Sequence, residues 1–144
     1  MRYLTPVLTL CLTSGLIAAT PHPFAQSLVK ALHTAHPELE EIGIAVRLPQ
    51  GCRSIASTDP SDVGEKCESE DLKPMQSDQP VVQPEGKELD LSMPLHDASG
   101  NLIGTIGIEL IPPAGETRAD TERRIRAIVV EVEKKIPSKA KLIS

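Results

Sequence analysis

Between Leu89 and Ile111 two apolar-alternating runs, Leu89 to Leu95 and Leu102 to Leu110, flank His96-Asp97-Ala98-Ser99-Gly100-Asn101. A period of two puts every second side chain on one face of a strand, and a short Asp/Ser/Gly/Asn break between two such runs is the composition of a tight antiparallel connection. The stretch predicts a hairpin with one buried face and its turn at Ser99-Gly100-Asn101. In the second strand Ile103, Thr105, Gly107 and Glu109 point one way, and Leu102, Gly104, Ile106, Ile108 and Leu110 the other. Gly104 and Gly107 weaken a strand unless something approaches the backbone closely, a packed helix or a bound ligand, and a helix is the expectation here.

Other elements follow from spacing and punctuation. Phe24, Leu28, Val29, Leu32 and Ala35 recur at helical spacing, so Phe24 to His36 predicts a helix that Pro37 halts. Ile42 to Leu48 is β-rich and ends at Pro49-Gln50-Gly51, with Cys52 to Ser57 as its hairpin partner. From Thr58 to Glu88 the chain is polar and punctuated by prolines, leaving a short helix at Asp71 to Met75 and a short strand at Pro80 to Gln83. A long helix is predicted from Glu116 to Ile136, capped by Thr117 or Asp120, with Ile125, Ile128, Val129, Val132 and Ile136 on its apolar face. Arg123, Arg124 and Arg126 read as a solvated face of that helix. The order helix, hairpin, linker, hairpin, helix describes an α+β domain on one antiparallel sheet.

The first residues carry Arg2, then an uncharged apolar run from Leu4 to Ala19, then Pro21-His22-Pro23. That is the pattern of a signal peptide over residues 1–19, cleaved after Ala19, leaving residues 20–144 as one domain in the periplasm or secreted. The run is too short and too interrupted for a retained anchor, so no stable membrane insertion is expected after its removal. With 15 Lys+Arg against 20 Asp+Glu the chain is acidic, which argues against nucleic acid as a partner. Tyr3 and Phe24 are the only aromatic residues, so no stacking surface for sugars or bases is available. Cys52 and Cys67 remain once the leader with Cys11 is gone, and in an oxidising compartment they are expected to form a structural disulfide. The bridge would close a loop of about 16 residues, worth roughly 3 kcal/mol in the chain-entropy model.

Two stretches carry a family resemblance. Ile55-Ala56-Ser57-Thr58-Asp59 with Val63-Gly64, and Met93-Pro94-Leu95-His96-Asp97 leading through Gly100 to Ile103-Gly104-Thr105-Ile106-Gly107, resemble the Cache branch of the PAS-like sensor domains. The resemblance spans roughly Ser27 to Ile136 and implies a PAS/Cache-like antiparallel sheet with a long N-terminal helix and a C-terminal helix. It also implies a small metabolite, such as an organic acid or amino acid, held between sheet and loops. Family members usually lie between two membrane helices, whereas this chain resembles a free-standing exported version, and the cysteine pair is not a general family feature.

An anionic ligand needs cationic or donor groups in an otherwise apolar pocket. Arg47, Arg53, Ser57, His96 and Asp97 are the candidate ligand-binding residues. Each has a plainer alternative: an exposed strand charge for the arginines, and a turn with its neighbour capping backbone amides for His96-Asp97. His33 and His36 share a helix face with no Cys/His cluster around them, so no metal is assigned, and no cofactor motif is present. With no nucleophile elbow, C-x-x-C, phosphate loop or carboxylate dyad, a non-enzymatic binding or sensing domain is the expectation. The alternative is an adaptor docking on a membrane receptor or transporter, for which the pocket would be filled by side chains.

Overall fold

The computed structural model describes residues 19–144; the anticipated signal peptide, Ala19 excepted, lies outside them. Helix α1 (Pro23–Ala35) leads into strands β1 (Leu39–Leu48) and β2 (Gly51–Ser57). A 3-10 turn at Pro60–Asp62 and helix α2 (Ser69–Ser77) precede β3 (Val81–Glu85), β4 (Glu88–His96) and β5 (Leu102–Leu110). Helices α3 (Arg118–Glu133) and α4 (Lys139–Leu142) close the domain. The five strands form one antiparallel sheet in the order β2-β1-β5-β4-β3.

The anticipated α+β architecture and both hairpins are present, and three differences have physical causes. α1 is 13 residues, shorter than the long N-terminal helix that the Cache resemblance implies, because Pro23 and Pro37 bracket it. The central linker is more ordered than its composition suggests. α2 runs from Ser69 to Ser77 through Pro74, its first turn held by Glu68 N–H donating to Asp71 at 2.8 Å. Pro74 is buried, so its ring packs on the sheet and offsets the lost backbone bond. The C-terminal helix starts at Arg118, where Thr117 accepts from Asp120 N–H at 3.1 Å.

The two faces of the sheet are built differently. Ile42, Ile44 and Val46 of β1, Leu91, Met93 and Leu95 of β4, and Ile106, Ile108 and Leu110 of β5 share one face. They form the core with Leu28, Val29 and Leu32 of α1 and Ile125, Val129 and Val132 of α3. The residues between them, at odd offsets, turn to the other face, which α2 covers only in part. α2 is tied there by the buried Thr105 hydroxyl, which donates to Asp71 C=O.

Neither strand glycine meets a helix. A methyl group at Gly104 would lie 2.5 Å from the Ala45 carbonyl oxygen, so the neighbouring strand β1 demands this glycine. A methyl at Gly107 would meet nothing within 4 Å: its strand is open on that side.

Candidate functional site

Gly107 opens into a cavity of about 260 Å³ on the α2 side of the sheet. Its floor follows from strand register. Ser57 pairs with Gly43, Gly43 with Gly107, and Gly107 with Ser92, so four strands place their smallest side chains in one row. That row leaves a trough. The next row along the strands is Glu41, Glu109 and Asp90, paired side by side across β1, β5 and β4. Like charges directly opposite one another are destabilising, so sheet formation does not explain this arrangement.

The opposite wall is the segment the sequence left as a linker. Cys52 and Cys67 form the expected disulfide, with Cα atoms 5.4 Å apart. Beside it Ser54 N–H donates to Glu65 C=O at 3.0 Å and Gly64 N–H to Ser54 C=O at 2.9 Å, folding the loop back along β2. The loop and the start of α2 bring Asp62, Glu65, Glu68, Glu70 and Asp71 to the cavity with a single cation, Lys66. Ser57 fixes one corner: its hydroxyl donates to Asp62 at 3.3 Å and accepts from Asp59 N–H at 3.0 Å.

The electrostatics follow from this crowding. Glu41 is pushed up to about 7, first by burial and then by its hydrogen bond to Asp62 and the nearby charge of Glu109. Burial, followed by the acids around them, also raises Glu109 and Asp90. Asp71 is raised by burial against a lowering backbone hydrogen bond from Glu68. None of Glu41, Asp90 and Glu109 forms an ion pair among the described residues.

A second, larger depression of about 460 Å³ lies between α1 and α3, lined by Leu28, Leu32, Ile128 and Val132. Within it Arg124 lies 3.2 Å from Glu116 and 3.7 Å from Glu38. Crowded carboxylates distinguish the first cavity.

Of the five candidate ligand-binding residues, only Ser57 reaches that cavity. Arg47 is exposed at the end of β1, and Arg53, half-buried, donates to the Cys52 carbonyl at 3.1 Å. Asp97 accepts from Ser99 N–H at 2.9 Å and Asn101 N–H at 3.0 Å, the turn-capping alternative, and these bonds, with Asn101's side-chain amide first, hold its carboxyl below the usual range. His96 bridges Asp78 at 2.8 Å and Glu133 at 3.0 Å, joining the end of α2 to the end of α3. Burial lowers its affinity for a proton, but the bonds to Glu133 and Asp78 outweigh that and raise it above the ordinary histidine value. The five residues do not converge, so the structure assembles no arginine-lined anion site from them. The acidic row was missed because Asp90 and Glu109 read as solvent-side positions of alternating strands. Their one sequence signal was the pairing of acids with Gly and Ser on the same face. Among the described residues no group of three His, Cys, Asp or Glu side chains could hold a metal ion, and no helix is long and apolar enough to cross a membrane.

No protein-family model matches the chain, and no curated protein does. Solved structures similar to it share its fold. A GAF domain of A. aeolicus Nlh2, in an inactive state, superposes with a TM-score of 0.61 at 20% identity, over 84% of this chain and 86% of that one. A GAF sensor protein described as putative, from Burkholderia vietnamiensis, gives 0.58 at 15% identity, over 88% and 83%. The inducer-binding domain of the transcription factor PobR from Acinetobacter, a double mutant in complex with 3-hydroxybenzoic acid, gives 0.52 at 9% identity, over 83% and 99%. The fold is therefore PAS/GAF-like, and the likeness is not specific to the Cache branch.

Proposed function

We propose that the chain is an exported, non-enzymatic sensor domain that binds a small molecule in the cavity between α2 and the sheet. The observation that carries this reading is the trough of Ser57, Gly43, Gly107 and Ser92 beneath unpaired carboxylates. An adaptor that only docks on a receptor or transporter would have this space filled by side chains, and it is open. The PobR neighbour, an inducer-binding domain solved with an aromatic acid, supports small-molecule binding as a use of the fold. The apolar leader and the Cys52–Cys67 bridge support the periplasm or exterior, where disulfides persist. A free-standing Cache-like sensor, handing its signal to a separate membrane receptor or transporter, is the finer form of the reading.

Thermal-shift screening of the mature, disulfide-bonded protein against amines, amino acids and organic acids tests it. At least one compound class should raise the melting temperature, and no compound doing so would count against the reading.

A further inference from the structure

We propose that the ligand is a small organic cation, an aliphatic amine or diamine or a basic amino acid, whose protonated nitrogens are received by Glu41, Glu109 and Asp90. This rests on the reading of the cavity as the ligand site and adds the charge of what enters it. The three carboxylates lie in one register row, half-buried, and no Lys or Arg among the described residues neutralises them. Lys66, the one cation in the lining, is exposed and forms no ion pair there.

Ser92 points to a ligand independently of the charges. It is 3% exposed, sits in the floor row next to Gly107 and lines the cavity, yet its hydroxyl makes no hydrogen bond to a described residue. Its hydroxyl faces the cavity with its hydrogen-bonding capacity unused by the fold. The carboxylates accept and the hydroxyl can accept or donate, which suits an ammonium group with its three donors. No group of described residues has the closeness a metal ion needs, and no aromatic residue lines the cavity to cage a quaternary ammonium. A volume of about 260 Å³ fits a short chain rather than a nucleotide.

Titration calorimetry on the disulfide-bonded protein at pH 8 and low salt provides the test, with 1,4-diaminobutane, spermidine and lysine as amines, calcium chloride as the metal arm, and succinate and 3-hydroxybenzoate as anions. The probes are run on wild type, on Gly107→Val, which fills the trough at a position with open space, and on the isosteric double variant Glu41→Gln/Glu109→Gln. An amine should bind wild type, fail to bind Gly107→Val, and bind the double variant about ten- to hundredfold more weakly, the range for losing hydrogen bonds to charged groups. Circular dichroism and melting checks that both variants are folded. If only an anion binds and Gly107→Val abolishes it, the cavity reading stands and the cation inference falls. If calcium alone binds, the organic cation falls likewise. If no probe binds, or binding is indifferent to Gly107→Val, both are overturned.

Discussion

The helix-covered face of the sheet and the α2-covered face are made by the same three central strands, residue by residue in alternation. Leu91 and Asp90 are neighbours on β4; one is fully buried in the core, the other sits in a row of acids that repel one another. On the first face side chains are large, apolar and interdigitated, the arrangement that maximises burial. On the second they are small or charged, and the fold keeps open space above Gly107, where an added methyl would meet nothing within 4 Å. A face that lowers stability while preserving a cavity is best explained by what the cavity holds.

The contrast is broken most severely from the core side. Leu91→Ala removes a fully buried side chain and should cost about 2–5 kcal/mol, measured by urea unfolding. Asp90→Asn, one residue away, should cost nothing or stabilise. Replacing both Cys52 and Cys67 by Ser should cost roughly 3 kcal/mol and weaken whatever ligand binds, because the bridge anchors the wall carrying Asp62 and Glu65. A loss of stability with unchanged binding would detach that wall from the site.

Electrostatic effects sharpen the contrast. Glu109→Gln relieves repulsion from Glu41 and Asp90 and should raise stability of the ligand-free protein by about 0.2–1 kcal/mol at pH 8. The pH slope reads the same row without a substitution. Because the folded state raises Glu41 to about 7 from 4.5, it binds more protons than the unfolded chain between those values, so its contribution to stability falls as pH rises through that window. Asp90 and Glu109 act in the same direction, and His96, also raised, contributes stability present below the unfolded histidine value and lost as pH climbs through the folded one. Melting temperature should therefore decline from pH 5 to pH 8, and Glu41→Gln should flatten the decline; an unchanged slope would place the titration elsewhere.

The sequence made the first face legible and the second nearly illegible. Apolar alternation located β1, β4 and β5 and the helical spacing of Leu28, Leu32, Ile125 and Val129, since burial leaves a periodic signature. The cavity is a product of register. Nothing local says that Gly43 lies beside Gly107, or Asp90 beside Glu109, until β1, β5 and β4 are placed adjacent in the sheet. The arginines drew attention for their chemistry, yet Arg47 ends in solvent and Arg53 on a backbone carbonyl. α2 was legible only as a short helix at Asp71 to Met75, because Pro74 inside it contradicts the local rule and packing on the sheet carries it from Ser69 to Ser77.

The most direct test of a ligand cavity on the acidic face is a two-dimensional amide NMR titration of the mature protein with the best compound from the thermal-shift screen. The glycines make the readout unambiguous, because Gly43 and Gly107 lie in the floor and their amides resonate apart from most others. Saturable shifts should appear at Gly43, Gly107, Ser92 and Glu109, with Leu28, Leu32 and Ile128 of the α1–α3 groove unmoved. Shifts confined to the groove, with the floor row silent, would contradict it.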